Sequence, residues 1–129
     1  MSNKAVINTE KAPAAIGPYS QAIKAGNTVY MSGQIPLNPE TMEIISDDFE
    51  AQARQVFTNL QAVCEEAAGT LGDIVKLNLY LVDLDNFAIV NKVMEEFFSS
   101  PFPARAAVGV KALPKGSQVE AEAVMVIGD

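Results

Sequence analysis

A chain of 129 residues has room for one core and two layers of secondary structure, and a composition of 49% hydrophobic and 19% charged residues is that of a folded globular protein. The net charge of −7 repels phosphate backbones and argues against nucleic acid as a partner. With no histidine and one cysteine, Cys64, the chain cannot build an intrachain disulfide, the usual zinc constellations, or Ser-His-Asp and Cys-His catalysis. Neither a secretory h-region nor an apolar run long enough for a membrane span occurs in it, which predicts one cytoplasmic domain over residues 1–129 with no membrane partner.

Residues 5–9, AVINT, form a candidate strand. The stretch EKAPAAIGPYSQAIKAGN that follows holds two prolines and two glycines and predicts a structured loop leading into more strand, with a turn at Gly26-Asn27. Over residues 28–36, Val29, Met31 and Gly33 alternate with Tyr30, Ser32 and Gln34, the period of a half-buried strand that Pro36 stops. From Asp48 the period becomes helical. Phe49, Ala53, Val56, Phe57, Leu60, Val63, Cys64 and Ala67 fall on one stripe, with Asp47 or Asp48 as the N-cap and Gly69 as the C′ residue. Residues 73–84 set Val75, Leu77, Leu79 and Leu81 against Lys76, Asn78 and Tyr80 and predict a central strand.

A second helix over residues 85–98 buries Phe87, Val90, Met94, Phe97 and Phe98 and ends at Pro101 and Pro103. Strands at 104–112 and 118–127, joined at Pro114-Lys115-Gly116, read as a β-hairpin. This order predicts an α+β sandwich in which two helices cover one face of a mixed sheet. In the last strand Ala121, Ala123, Met125 and Ile127 lie on one side, Val124 and Val126 on the other. Both faces are therefore partly apolar, a chain this short cannot cover both, and a homo-oligomer is expected.

Arg105 is the sharpest candidate for a functional residue. It stands in FPARAAVGV, a run of small and apolar residues, on the same strand face as Ala107 and Gly109, whose size leaves space beside a guanidinium. A planar fork of donors in a cavity grips a carboxylate through two parallel hydrogen bonds. An arginine at a strand start also snorkels to solvent, or pairs with Glu50 or Glu120. Glu120 and Glu122 share one face of the last strand; one can pair structurally while the other positions or deprotonates a water, and edge strands also carry such charges for solubility. The loops IGPYSQA and SGQIP place Tyr19, Ser32 and backbone amides where a ligand can reach them, although alone they are merely turns. Asn91 is a polar residue at an apolar level of the second helix, suited to a helix-to-loop hydrogen bond, and Cys64 lies on the buried stripe as inert core.

Six separated blocks, APAAIGPYSQA, VYMSGQIPLNPET, QARQVFTNLQAV, GDIVKLNLYLVDLDNFAIVN, FPARAAVGV and LPKGSQVEAEAV, resemble in order the Rid family of reactive intermediate deaminases, the RidA or YjgF type. The resemblance implies a chorismate-mutase-like α+β fold and a homotrimer with sites in the clefts between subunits. It implies hydrolysis of short-lived enamine and imine acids, 2-iminobutanoate and 2-iminopropanoate, to the 2-keto acid and ammonia. Pyridoxal-phosphate enzymes acting on threonine and serine release these compounds. Carried over by position, Arg105 holds the substrate carboxylate, Glu120 positions the attacking water, and Tyr19, Ser32, Gly33 and Asn91 line or support the cleft. Such a hydrolysis needs no cofactor, metal or histidine.

In one place the chain departs from its relatives: many members carry Ser-Cys after the arginine, where this chain has Ala106 and Ala107, so thiol chemistry there is excluded and substrate preference is open. Glu120 and Glu122 exchange roles if a bulge shifts the last strand. Two other readings stand beside the deaminase. Family members have been described as translation inhibitors acting as single-strand ribonucleases, against which the acidic charge and absent histidine weigh. The same cleft also suits a non-catalytic sensor of 2-keto acids that regulates a partner enzyme in isoleucine or purine metabolism.

Overall fold

The computed structural model describes residues 4–128; residues 1–3 and 129 of the expected domain lie outside that range. Six strands and two helices follow in the order β1 (Lys4–Ile7), β2 (Ala22–Ala25), β3 (Thr28–Gln34), α1 (Phe49–Glu66), β4 (Ile74–Leu81), α2 (Phe87–Phe97), β5 (Ala104–Gly109) and β6 (Val119–Val126). They make one mixed sheet, β1-β2-β3-β6-β4-β5, antiparallel throughout except for the β4–β5 pair. Both helices contribute to one core against a single face of the sheet.

Each element follows from a local cause. The α1 stripe is buried along its whole length, and the Asp48 carboxylate caps the helix by accepting the Ala51 N–H at 3.0 Å. At the other end the Ala68 N–H donates to Glu65 O at 3.0 Å and the Gly69 N–H to Cys64 O at 2.8 Å, the two bonds of a Schellman motif. The left-handed residue of that motif is Ala68, with φ 67°, and not Gly69 as expected. Glycine at 69 answers a different need: a Cβ there would stand 2.7 Å from Met125 Sδ, so the chain spends its glycine on a close approach to β6. On β6 itself Val119, Ala121, Ala123 and Met125 are buried, and the two alanines let α1 settle low on the sheet. Phe57 of α1 packs against Phe97 and Phe98, with ring centroids 5.6 Å apart in both pairs.

Five expectations are corrected. Residues 22–25 form a strand where a loop was expected; AIKA is too short to show alternation, and Gly26, at φ 63°, turns it into β3. The last two strands are not a hairpin. β5 pairs with β4 in parallel, β6 inserts between β3 and β4, and nine residues join them. Parallel pairing requires a crossover, and α2 supplies it by lying between β4 and β5 in the chain. In β4 a register shift between Ile74 and Lys76 buries Ile74 and leaves Val75 48% exposed, reversing the expected face of Val75. A second shift, between Met31 and Gln34 on β3, buries Gln34 and moves Gly33 to the other face. Phe87, expected to be buried, is 38% exposed at the start of α2.

A side chain at positive φ costs about 1–2 kcal/mol of backbone strain, which glycine avoids. Ala68→Gly is therefore expected to stabilise the fold by about 0.5–1 kcal/mol in guanidinium unfolding, the gain being trimmed by glycine's larger unfolded-state entropy. A loss of stability would show that the Ala68 methyl makes packing contacts worth more than the strain.

Candidate functional site

The parallel register places Arg105 beside Leu77, so its side chain leaves the sheet on the helix-covered face, at the outer edge. There α2 meets it with three residues of one stripe. The guanidinium carbon lies over the Phe87 ring, 5.0 Å from its centroid, Nη1 donates to Asn91 Oδ1 at 2.5 Å, and Met94 Sδ is 3.3 Å from the same nitrogen. Phe87, Asn91 and Met94 are spaced i, i+4, i+7, so a single helix face sets the orientation of the arginine. A cavity of about 340 Å³ opens beside it, bounded by Asn91, Met94, Glu95, Phe102 and Pro103. The space does not come from the small residues of β5: Leu84 covers Gly109, at 3.2 Å from a Cβ built there, and Ala107 packs on the core.

Arg105 pairs with neither carboxylate suggested for it. Glu50 is engaged by Arg54 at 2.7 Å and Lys92 at 3.5 Å, and Glu120 faces away across the sheet. No salt bridge to Arg105 occurs among the described residues, and its contacts with Asn91 and Met94 both run through Nη1.

Glu120 lies opposite Tyr80 on the face without helices and lines a second cavity, of about 330 Å³, together with Tyr19, Gly33 and Gln21. The β3 bulge builds this contact. It turns Gly33 toward Glu120 so closely that a Cβ at Gly33 would overlap Glu120 Oε2. Burial, and secondarily the charge of Glu122, hold the Glu120 carboxyl above the usual carboxylate range. Glu122 is already occupied: its Oε1 accepts from the Tyr80 hydroxyl and from Asn78 Nδ2 at 3.4 Å. The Tyr80 phenol is pushed up to about 12, chiefly by that hydrogen bond. Glu120 accepts no hydrogen bond from the described residues. β6 keeps a regular register with β4 from Leu77 to Leu81, and the bulge lies on β3, so no shift of β6 exchanges the two glutamates.

Tyr19 stands half exposed at the cavity mouth, its hydroxyl accepting from the Ile16 N–H at 3.5 Å. Ser32 is not part of the lining. Its hydroxyl donates to Ser20 O at 2.5 Å and its N–H to Gln21 O at 3.0 Å, so it ties the Tyr19 loop to β3. Buried Gln21 finishes the anchorage, accepting from the Thr9 N–H at 2.7 Å and donating to Pro13 O at 2.8 Å. Cys64 is buried 3.7 Å from Met31 Sδ, its thiol pushed up to about 12 by burial, which leaves it no nucleophilic character. Of the six residues singled out in the sequence, Arg105 and Asn91 share one cavity, Tyr19, Gly33 and Glu120 the other, and Ser32 supports the second from behind. Phe87 and Met94 were read only as core, and their spacing from Asn91 is the signal that points to them. Among the described residues no group of three His, Cys, Asp or Glu side chains is placed to hold a metal ion, and no helix is long and apolar enough to cross a membrane.

Cavities of about 330–340 Å³ are of the size that small-molecule sites occupy. Architecture and cavities define an α+β protein with a cavity on each face of one sheet. Residues 9–127 match the family described as Endoribonuclease L-PSP, and the chain belongs to that family, the Rid proteins. It is 49% identical over 127 residues to the 2-iminobutanoate/2-iminopropanoate deaminase of Dermatophagoides farinae, with 98% of this chain and 99% of that protein aligned. The crystal structure of RidA from the Antarctic bacterium Psychrobacter sp. PAMC 21119 superposes with a TM-score of 0.93 at 56% identity, covering 95% of this chain and 99% of that one. The structure of E. coli TdcF with bound serine superposes with a TM-score of 0.90 at 39% identity, covering 97% and 100%.

The raised pKa of Glu120 has a consequence for stability. The folded chain keeps this proton to a higher pH than the unfolded chain does, so ionisation costs stability above the folded pKa and the cost vanishes below the unfolded one. Glu120→Gln is expected to raise the guanidinium midpoint at pH 7 and to leave it nearly unchanged at pH 4. A lower midpoint at pH 7 would mean that the carboxylate helps to hold the fold.

Proposed function

We propose that the chain hydrolyses the enamine and imine forms of short 2-amino acids, 2-iminobutanoate and 2-iminopropanoate, to 2-keto acids and ammonia, in the cytoplasm, as a single-domain subunit of a chorismate-mutase-like homotrimer. The observation that carries the reading is the disposition of two groups: an arginine fork that turns to an open cavity and forms no salt bridge among the described residues, and a carboxyl free of hydrogen bonds, with its pKa raised, in a second cavity. The naming of the Dermatophagoides and human relatives as 2-iminobutanoate/2-iminopropanoate deaminases supports it.

Arg105 binds the substrate carboxylate through two parallel hydrogen bonds, preset by Asn91 and Phe87 so that little side-chain freedom is lost on binding. Glu120 accepts a proton from a water as its oxygen forms a bond to C2 of the protonated imine, giving a carbinolamine. That proton passes to the amino nitrogen, the C–N bond breaks with its electron pair leaving on ammonia, and the hydroxyl proton is lost as the ketone forms. A carboxyl with a raised pKa is the stronger base when ionised, which suits it to the first step. Placement and base catalysis together supply an acceleration on the order of 10²–10⁴.

Arg105 and Glu120 of one chain lie on opposite faces of the sheet and cannot hold one substrate between them. The site is therefore composite, with Arg105 of one copy and Glu120, Tyr19 and Gly33 of its neighbour closing on the ligand. The open sheet face, which exposes Tyr30 and Val108, is what the copies cover.

In an assay in which threonine dehydratase generates 2-iminobutanoate and semicarbazide competes for it, wild type is expected to suppress semicarbazone formation. Arg105→Ala is expected to lose that effect. Glu120→Gln is expected to keep 2-oxobutanoate binding and lose turnover by about 10²–10⁴. Retained turnover in Glu120→Gln would remove the base role. Co-expression of the two inactive variants is expected to restore about a quarter of wild-type activity, the share of randomly formed interfaces in which an intact Arg105 meets an intact Glu120. No recovery, in oligomers shown to be mixed by purification through two different affinity tags, one on each variant, would place both groups in one subunit's site.

A further inference from the structure

With the carboxylate on Arg105 and the water on Glu120, the substrate's own side chain is left to the rest of the Glu120 cavity. That part of the wall is apolar: Ile35, Leu37, Met42 and Pro114. One of these residues, and a neighbour of another, are backbone outliers. Met42 has φ 61° and Lys115 φ 57°, a region that favours glycine, and neither is glycine.

The two outliers meet. Lys115 Nζ donates to the Met42 carbonyl at 3.2 Å. The turn that carries Met42 is fixed on its own side as well: the Met42 N–H donates to Asn38 O at 2.8 Å, and the Asn38 N–H to Glu43 O at 2.9 Å. Asn38 Oδ1 accepts from the N–H groups of Glu40 and Thr41, and Leu37 bridges to Ile44 across the base. A turn held in this way would relax with glycine at 42. The side chain kept there against backbone strain borders the cavity, and observed strain at a cavity wall points to a role for the group that bears it.

We propose that Met42 is the specificity-determining residue of this site: its side chain caps the apolar end of the Glu120 cavity and limits the length of the substrate side chain, while Lys115 holds its backbone in place. The inference rests on the deaminase reading and deepens it. An unbranched, polarisable thioether fills an irregular gap without closing it, which admits one- and two-carbon side chains and resists longer, branched ones.

The test compares two imines made by one L-amino acid oxidase, 2-iminobutanoate from 2-aminobutanoate and 2-imino-4-methylpentanoate from leucine, with turnover taken as the ratio of long to short. Met42→Gly is expected to raise that ratio about tenfold, the effect of one or more methylenes of pocket space. Its unfolding temperature is expected to hold or rise, because glycine suits φ 61°. Met42→Leu, of similar volume, is expected to return the ratio to near the wild-type value. An unmoved or lowered ratio in a Met42→Gly protein that still turns over 2-iminobutanoate overturns the inference and leaves the deaminase reading intact. A wild type inactive on both imines overturns the two together.

Discussion

The alternation of β6 is the constraint on which the rest of the molecule depends. As an inner strand it has no free edge: β3 lies on one side and β4 on the other, so its backbone groups are paired and its side chains have only two directions to take. Val119, Ala121, Ala123 and Met125 go to the core, and Glu120, Glu122 and Val124 go to the open face. A one-residue slip would bury two carboxylates and expose the seat of α1, so the register is held by the hydrophobic effect and the cost of burying charge together. The glycine at 69 belongs to the same constraint, since it lets the end of α1 approach Met125.

From that strand the two candidate surfaces follow. The β3 bulge is possible because β3 pairs with β6 on either side of it, at Met31–Ala123 and at Gln34–Ala121, and the bulge turns Gly33 toward Glu120. On the other side of β6, β4 leads into α2 and back into β5, and this parallel crossover is what lays α2 along the edge strand. Arg105 thus finds Phe87, Asn91 and Met94 at helical spacing beneath it. The chain's other arginine shows the alternative fate of such a residue: Arg54 bridges Glu50 and Glu96 and joins α1 to α2, an exposed network of modest energetic weight.

How much of this was legible in the sequence depended on whether the signal was periodic. The α1 stripe is long enough for its period to be unmistakable, and every residue assigned to it is buried. Arg105 stood out by contrast with its small neighbours, but the reason given for its cavity was wrong, because the space beside Gly109 belongs to Leu84, a residue of the turn before α2. Bulges leave no periodic trace, which is why Val75 and Ile74 changed places and why Gln34, and not a residue of the expected face, became buried. Strand pairing is non-local. Two strands joined by nine residues look like a hairpin until the crossover through α2 claims β5 for the far side of β4. Met42 carried no signal at all, since a positive φ at a methionine is set by the hydrogen bonds of its turn and by Lys115 from a distant loop.

The separation of Arg105 from Glu120 has a physical merit that one shared cavity would lack. A guanidinium and a carboxylate facing each other in a partly buried pocket form a bidentate pair, which occupies the donors meant for a ligand and draws the carboxyl pKa down. With the sheet between them each keeps the property it needs: Arg105 retains unfilled donors, and Glu120 retains a pKa above the usual carboxylate range, set by burial and by Glu122 without a cation to offset them. Glu122 contributes by staying engaged with Tyr80 and Asn78, which fixes a negative charge two residues from Glu120 and keeps that carboxylate from competing for the ligand. On the composite reading, assembly brings the cation and the base of different copies to opposite ends of a substrate, the cation at its carboxylate and the base beside its reacting carbon. The ligand then completes the charge arrangement that the chain alone avoids.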